Sequence, residues 1–358
     1  MIDRNDLRAA VAAGYVTESQ AANLISLADS RRGARENLDP GDEPFELFKG
    51  FNEIFIVVGL IILALGWSAV TAVALGDTLV SAANVMGTAV MLGAVTGGVI
   101  WLLSEYFIRR RRMVAPAIAL SIFFGINAAV TWTVALFEPF MFAQGDLSSV
   151  PLPMLLGTLT MAVYWWRFRV PFAMAVIAVG LFLTAMVYTA TLAGTVDTFD
   201  EFFLLSAEGP FAWVTLGLGL LVFLAAMAFD MSDPHRVTRR SGNGFWLHVV
   251  AAPALVNTIA LSLLAQESPM ADVILLAVLA FFALVAIVID RRSFLIAAIG
   301  YVVVLAGTVL DGGGAAYTVL LLGVVLVALG AFWERIRAVL LRPLSGILPL
   351  HRLPPAQL

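Results

Sequence analysis

The chain has 358 residues, of which 61% are hydrophobic and only 13% are charged, and its mean hydropathy is +0.95. These values exclude an ordinary soluble domain, in which about a quarter of the residues carry charge. The absence of cysteine excludes disulfides, thiolate catalysis and cysteine-ligated metals. The net charge of −4 is less informative than the way in which the charges are distributed.

The first 50 residues are polar and predict a small helical hairpin. The segment RNDLRAAVAAG is typical of a short amphipathic helix that ends at Gly14. A second helix is predicted to start at Thr17, with Gln20 at the capping-box position, and to end at Gly33. Because the hairpin is too small to be stable alone, we expect it to dock on the membrane domain or on a partner protein. An acidic linker and an interfacial segment, FELFKGFNEIF, follow it.

Ten apolar blocks of 17 to 23 residues come next, which is the length that a helix needs to cross a bilayer. The predicted spans are Ile54–Gly76, Ser81–Leu103, Val114–Leu136, Val150–Trp166, Val170–Leu192, Phe211–Phe229, Phe245–Ala265, Met270–Ile289, Phe294–Leu310 and Ala315–Trp333. The expected domains are a head with its linker and interfacial segment over 1–50, a transmembrane domain over 51–342 and a cytoplasmic tail over 343–358.

The basic residues are confined to alternate connections between these blocks. All 21 Lys and Arg residues lie before the first block, after the last block or in every second connection. In the other connections, every charged residue is Asp or Glu. This positive-inside distribution predicts an even number of spans and two cytoplasmic termini. The expected fold is an all-α polytopic membrane protein of about ten transmembrane helices, arranged as five tandem hairpins that run out and back.

Four consecutive arginines form one basic turn: Arg109, Arg110, Arg111 and Arg112. The simplest interpretation is a short cytoplasmic turn whose side chains contact anionic lipid headgroups, at about 1 kcal/mol each. A nucleic-acid site is disfavoured because so short a turn against a membrane leaves no surface for a duplex. Most returning spans also end with an acid near arginine, as in Asp230 with Arg236 and Asp290 with Arg291.

A recurring polar position lies 12–14 residues into five outgoing spans, at Ser68, Asn127, Thr184, Asn257 and Thr308. That spacing places these side chains roughly 18–21 Å from the inner boundary of the membrane. They are candidates for a shared polar level that lines a cavity. The alternative is hydrogen bonding between helices, at about 0.6 kcal/mol per pair.

The seventh span is the irregular one and the first candidate for a site within the membrane. Pro253 removes the hydrogen bond to the carbonyl of Val249, so a kink is predicted there. His248 lies about 5 Å inside the inner boundary. We interpret His248 as an interfacial or packing residue, with a proton relay as the alternative.

The loop GTVDTFDEFFLLSAEGP is the best candidate for a site on the outer side. Thr198 and Glu201 form a capping-box pattern, which predicts a short interfacial helix. Asp197, Asp200 and Glu201 could together bind a divalent cation through oxygen ligands. Solvated loop acids are the simpler interpretation.

Familiar catalytic motifs are missing from the sequence, which contains no Walker A loop, GxGxxG, HExxH or GxSxG. GWSA, around Ser68, is similar to the serine motif of intramembrane serine proteases. The only candidate base, His248, differs from Ser68 in predicted depth by roughly 16 Å, which excludes a dyad. No catalytic, cofactor-binding or metal-binding residue is therefore assigned.

Three segments near the ends carry a resemblance: AGYVTESQAANLI, DEPFELFKGFNEIFIVVGL and FWERIRAVLLRPLSGILPLHRLPPAQL. They resemble bacterial polytopic inner-membrane proteins whose N-terminal domains have no known function. The resemblance implies a location in the bacterial inner membrane and supplies no functional residues.

The sequence favours a non-enzymatic role, as a scaffold, assembly or sensor subunit that docks partners through residues 1–50. A passive transporter or channel for a small neutral solute or a cation is the alternative, since the predicted spans contain no charged residue away from their ends. An intramembrane enzyme is the least favoured hypothesis. No cofactor is expected.

Overall fold

The computed structural model describes residues 4–17, 20–21, 24, 51–76, 82–136, 138, 146–195, 198–205, 209–234, 236, 239–266, 268–292, 312–344, 346 and 349–354. In these ranges all regular secondary structure is helical. The chain separates into two compact units, Met1–Pro44 and Phe45–Leu358.

The first unit begins with α1, Arg4–Ala12. The helix ends where the sequence predicts, because Gly14 adopts a φ of 74° that side chains disfavour. The predicted capping box is also present: the backbone N–H of Gln20 donates to Oγ1 of Thr17 at 3.2 Å. In return, the N–H of Thr17 donates to Oε1 of Gln20 at 3.0 Å.

Long helices make up the second unit, and in the described ranges they are α2 (Phe51–Gly76), α3 (Ala82–Ser104), α4 (Ala115–Leu136), α5 (Pro151–Phe168), α6 (Phe172–Ala193), α7 (Phe211–Met231), α8 (Arg239–Leu264), α9 (Pro269–Ile289) and α10 (Gly312–Leu344). A π-helical turn, Glu105–Arg110, extends α3. Short 3₁₀ helices cover Phe199–Phe202 and Leu350–Arg352.

Seven of the helices in the described residues are long and apolar enough to cross a membrane. The prediction of a helical membrane protein is confirmed at this level. The ninth predicted span, Phe294–Leu310, lies outside the described residues, so the count of ten spans stays a prediction.

Two helices extend well beyond the predicted apolar blocks. α8 begins at Arg239, six residues before the predicted Phe245, and α10 continues to Leu344 instead of ending at Trp333. The first extension is polar and the second mixes charged with apolar residues, and hydropathy alone ends a span where charged or polar residues begin. The helices continue because several polar side chains in the extensions, such as Asn243 and Arg337, are buried against neighbouring elements.

Two apolar clusters form most of the core. One joins α8 to α9 through Val256, Leu275 and Leu279, and the other joins α4 to α5 through Leu120 and Tyr164. In contrast, α2 buries only two of its 26 residues, Glu53 and Leu60. The helix α2 therefore buries little of its surface against the other described helices.

Candidate functional site

The basic residues of the second unit collect at one end of its helices. Arg167 of α5 contacts Glu105 at the end of α3, and Arg291, which follows α9, contacts Asp230 at the end of α7. We call this end of the bundle the basic face. Its other arginines in the described residues are Arg109–Arg112, Arg169, Arg236, Arg239, Arg240, Arg292, Arg335, Arg337, Arg342 and Arg352.

Every basic turn in the described residues holds one non-glycine residue in the left-handed backbone conformation. These residues are Arg112 (φ 55°), Arg169 (φ 52°), Arg236 (φ 51°) and Asp290 (φ 57°). After each of the three arginines, the next helix begins three residues later. This conformation costs a non-glycine residue about 1–2 kcal/mol, so a strained residue recurs in all four turns.

Asp230 is buried at the basic face and forms a bidentate ion pair with Arg291. Nε of Arg291 donates to Oδ2 of Asp230 at 2.9 Å, and Nη2 donates both to Oδ1 and to the carbonyl of Ser241. Nε2 of His248 lies 3.0 Å from the same Oδ2. Because Arg291 and His248 have no exposed surface, the carboxylate replaces the water that these groups lose.

A second ion pair joins Asp290 and Arg236. Nη1 of Arg236 donates to Oδ2 of Asp290 at 2.9 Å, and Nη2 donates to the Asp290 carbonyl at 2.6 Å. The indole N–H of Trp333, on α10, donates to Oδ1 of Asp290 at 2.6 Å. The two ion pairs are crossed, because Asp230 and Asp290 each bind the arginine that follows the other acid in the sequence. Crossing ties the ends of α7 and α9 together.

The C-terminal segment packs against α10 at the basic face. Arg337 is buried and donates to the carbonyls of Ile287 at 3.1 Å, Val288 at 3.4 Å and Pro354 at 2.7 Å. Leu353 is buried as well. The tail predicted over 343–358 is thus packed on the helices in its described part, because its carbonyl group helps to satisfy a buried cation.

A third acid, Glu105, forms a more exposed link between α3 and α5. Its Oε1 lies 2.7 Å from Nη2 of Arg167, and its Oε2 lies 3.3 Å from Nη1 of Arg109. The Glu105 side chain is 30% exposed, so solvent screens these pairs to about 0–1 kcal/mol. The preceding Ser104 shares a buried hydrogen bond of 2.8 Å with the hydroxyl of Tyr164.

Glu53 is a buried acid on α2 that caps the neighbouring α4. Its Oε2 accepts hydrogen bonds from the backbone N–H groups of Val114 at 3.1 Å and Ala115 at 2.9 Å. These amides lie at the start of α4, where helical N–H groups lack partners and a negative charge is favourable. The sequence analysis missed this cap because an acid in the predicted interfacial segment is expected to face water.

Within α8, the two candidate residues lie in different surroundings. His248 is completely buried against Asp230, so its side chain packs inside the bundle. Pro253 is exposed, and α8 continues through it as one helix. The predicted kink at Pro253 stays a prediction. A break in helical geometry that the sequence did not predict occurs in α10, at Phe332 (φ −117°, ψ 20°).

Two of the five residues predicted to share a polar level come together. Ser68 and Asn127 line one cleft of about 510 Å³ between α2, α3 and α4. Thr184 donates to a backbone carbonyl of its own helix at 2.7 Å, and Asn257 lies on α8, away from the cleft. Thr308 lies outside the described residues. Among the described positions, Ser68 and Asn127 share this cleft, and a polar level common to all five residues stays a prediction.

The polar groups of this cleft use their donors within the protein. The indole N–H of Trp67 donates to the hydroxyl of Thr96 at 2.6 Å, and Nδ2 of Asn127 donates to the carbonyl of Gly93 at 3.0 Å. Hydroxyl groups that donate to carbonyls of their own helices are those of Ser68, Thr71, Thr96 and Thr131. The rest of the lining is apolar, so the cleft offers few donors to a polar solute.

The outer loop forms the predicted capping box at the start of a 3₁₀ helix. The backbone N–H of Thr198 donates to Oε1 of Glu201 at 3.2 Å, which engages one acid of the candidate cation site. Asp200 lies in the same turn, and Asp197 is outside the described residues. Over the described ranges, no group of three acids or histidines is placed to hold a metal ion.

The arginine run is exposed at all four positions, from Arg109 to Arg112. Nη1 of Arg109 donates to Glu105 at 3.3 Å, and Nε of Arg111 donates to the hydroxyl of Tyr106 at 3.1 Å. Contact between these side chains and lipid headgroups stays a prediction.

Buried charge in the described residues is confined to the basic face, at Glu53, Asp230, Asp233, Asp290, Arg291 and Arg337. The carboxylates of Asp230 and Asp290 accept hydrogen bonds from side chains of other elements. Such contacts are typical of charged groups that hold helices together. Ser68 lines the cleft and donates to the carbonyl of Leu65, whereas His248 contacts Asp230.

Comparison of the chain with models of protein families, with curated proteins and with solved structures finds no match.

Proposed function

We propose that this chain is a non-enzymatic scaffold of the membrane, an assembly or sensor subunit that docks a partner protein through residues 1–50. The observation that carries this proposal is the use of buried charge at the basic face. Both crossed ion pairs join different helices, so the charge serves to fix the helices relative to one another. A fixed platform is what a docking subunit requires.

The free energy needed to break these buried ion pairs favours a scaffold with fixed helices over a carrier. Carriers must separate their helices at each end in turn during transport. Removing one partner of a buried ion pair costs about 3–5 kcal/mol, because the remaining charge is left without water or partner. Crossed ion pairs between α7 and α9 therefore oppose opening at the basic face.

Within this proposal the chain crosses the bacterial inner membrane ten times as five out-and-back hairpins. Both termini and the basic face then lie in the cytoplasm. The sidedness of all 21 basic residues in the sequence supports this orientation. In this orientation the arginine run meets anionic headgroups of the inner leaflet, which attract basic groups near the surface.

Reporter fusions test the orientation. A reporter inserted after Gly145 or after Thr195 should be active only outside the cytoplasm, and one inserted after Arg110 should be active only inside it. A cytoplasmic signal from either of the first two insertions would contradict the five hairpins. That result would leave the described helices unchanged.

Cross-linking in intact cells tests the docking role. We expect one partner protein to be recovered in stoichiometric amount with the full chain and to be lost when residues 1–44 are deleted. The variant Arg335→Gln, with an intact head, serves as the control and should retain the partner. The same cross-links with and without the head would overturn the proposal, provided that the deleted protein keeps its melting temperature.

The alternative is passive passage of a small neutral solute or a cation, and the cleft that contains Ser68 and Asn127 favours it. Protein reconstituted in liposomes would then increase the permeability to glycerol, urea or potassium over protein-free liposomes. Replacement of Asn127 by Leu should abolish that increase, whereas Thr184→Val, away from the cleft, should not. Such a result would replace the scaffold proposal. Equal permeability with and without protein would remove the alternative.

A further inference from the structure

A second cavity lies at the basic face, between the end of α5, the end of α7 and the start of α8. Its volume is about 520 Å³, and its lining consists of Trp165, Arg169, Ala228, Phe229, Ser232, Arg239, Arg240 and Asn243. Three of these eight residues are arginines, and none is an acid. Neither crossed ion pair contributes to this lining.

Arg169 forms one wall and is held by the turn that ends α5. Its left-handed backbone lets its N–H donate to the carbonyl of Trp165 at 2.7 Å. The guanidinium carbon lies 4.6 Å from the centre of the Trp165 ring. Stacking covers the face of a guanidinium and leaves the N–H donors along its edge accessible. Among the described residues, no carboxylate forms an ion pair with Arg169.

Arg239, at the first position of α8, lines the cavity beside Arg169. Its Nη1 donates to the carbonyls of Phe168 at 3.4 Å and Arg169 at 3.5 Å. Both hydrogen bonds are long, and they use only one of the two terminal nitrogens. In the described part of the chain, these carbonyls are the only polar partners of the Arg239 side chain, so its charge is not neutralised by an acid.

Asn243 adds a buried amide to the same cavity. The residue is 5% exposed, and its Oδ1 accepts a hydrogen bond from the indole N–H of Trp165 at 3.4 Å. This contact orients the amide nitrogen as a further donor, and the described residues provide no acceptor for it. The groups that converge here are almost all donors.

We propose that this cavity binds a phosphate-bearing anion, such as the headgroup of an anionic phospholipid. An anion supplies the negative charge that the lining lacks, and the planar fork of arginine matches two oxygens of one phosphate. Arg169 and Arg239 hold the phosphate, and Asn243 donates to it. The volume lies in the range of small-molecule sites, about 300–1,000 Å³, so it leaves room for an organic group beside the phosphate.

Arg169, Arg239 and Arg240 are exposed, as the arginine run is, but the cavity gathers them around one volume. Separate arginines on a surface attract anionic headgroups by their charge alone. A cavity with fixed donors binds one ligand and saturates. The proposal goes beyond the scaffold role and does not depend on it.

Native mass spectrometry of the full chain, purified in detergent and stripped of lipid, tests the proposal. Phosphatidylglycerol and phosphatidylcholine are added separately to the wild type and to the double variant Arg169→Gln/Arg239→Gln. We expect the wild type to bind one phosphatidylglycerol saturably, and the double variant to bind it at least tenfold more weakly. The control Arg335→Gln/Arg342→Gln removes two exposed arginines of α10 and should bind like the wild type.

A second arm distinguishes a lipid headgroup from a soluble phosphate compound. Inorganic phosphate and glycerol 3-phosphate are added to the stripped protein, and the melting temperature is followed by tryptophan fluorescence. Stabilisation of the wild type but not of the double variant by these ions, without an effect of phosphatidylglycerol, identifies a soluble ligand. The reverse pattern identifies a lipid. Either pattern supports the site.

Two results would overturn the proposal: detectable binding of phosphatidylglycerol that is equally strong in the double variant and in the control, or no response of the wild type to any phosphate compound. The melting temperature without ligand shows whether the double variant is folded. If it is not folded, Arg169→Lys/Arg239→Lys replaces it. Lysine keeps the positive charge but lacks the planar pair of donors that binds two phosphate oxygens. We therefore expect the lysine variant to bind phosphate severalfold more weakly.

Discussion

Gly244, near the start of α8, lies against the buried carboxylate of Asp230. A Cβ atom at this position would overlap with Oδ1 of Asp230 and come within 3.2 Å of the carbonyl of Ala226. The missing side chain lets α7 and α8 approach closely. That approach allows Asp230 to reach Arg291 and His248 together.

Gly244→Ala should therefore lower the free energy of unfolding by about 2 kcal/mol, since overpacking forces the carboxylate from its place. Thermal unfolding in detergent measures the effect. Gly217→Ala, on α7, is the control, because nothing lies within 4 Å of its added Cβ. There we expect a gain of about 0.5–1 kcal/mol from helix propensity. Equal melting temperatures of the two variants would contradict the close packing at Gly244.

At the basic face, a buried acid should contribute more to the free energy of unfolding than a partly exposed one. Asp230→Asn leaves Arg291 buried without a carboxylate, and we expect a loss of about 3–5 kcal/mol. Glu105→Gln, at the partly exposed pair, should lose at most about 1 kcal/mol. The two melting temperatures provide the comparison. Similar losses for both variants would show that the Asp230–Arg291 pair is hydrated.

The ion-pair partners of Asp230 and Asp290 could not be predicted from the sequence. Asp230 and Asp290 are recognisable as acids near arginines, but nothing in the sequence shows that each binds the arginine beside the other. That choice depends on which guanidinium is buried after the helices pack. The capping role of Glu53 could not be predicted for the same reason. The amides that it caps lie at the start of α4, 61 residues further along the chain.

At the scale of the helices and turns, the left-handed residue is the feature that repeats. Glycine is the usual residue in this conformation, yet three of the four positions in the described turns are arginine. At position 169, arginine has an advantage over glycine because its side chain stacks on Trp165. Arg112 is exposed.

Arg112→Gly should raise the stability by about 1 kcal/mol, because glycine adopts a φ of 55° without steric cost. Arg111→Gly is the matched substitution one residue earlier, where φ is −89° and Nε donates to Tyr106. There we expect a small loss of stability. Thermal unfolding of both variants gives the comparison, and a lower melting temperature for Arg112→Gly would contradict the strain.

Hydrophobic length predicted the helices themselves with small errors. The predicted start of α2, Ile54, lies three residues from the observed Phe51, and the observed ends of α2 and α4 are as predicted. Errors grew where polar residues continue a helix, as at the start of α8 and the end of α10. A polar turn is stable as helix only if it has partners, and partners are set by tertiary packing.

On the scale of the whole molecule, the two ends of the chain belong to different compact units. Residues 1–44 form a compact unit of their own, whereas residues 349–354 belong to the large unit and pack on its helices. The C-terminal segment provides the carbonyl of Pro354 for Arg337.

Deletion of residues 1–44 should leave the melting temperature of the large unit unchanged. Deletion of residues 349–358 removes a buried leucine and one acceptor of a buried guanidinium, so we expect a loss of about 2–4 kcal/mol. Both deletions are compared with the full chain by thermal unfolding in detergent. A stable protein without residues 349–358 would show that Arg337 finds another acceptor.

The crossed ion pairs also set an order of events during synthesis. Arg291 follows Asp230 by 61 residues, so a ribosome that adds about 5–20 residues per second delivers it about 3–12 s later. Throughout that delay the carboxylate at the end of α7 has to remain hydrated or held by a temporary companion. The contact between the end of α7 and the segment after α9 is therefore completed late in synthesis.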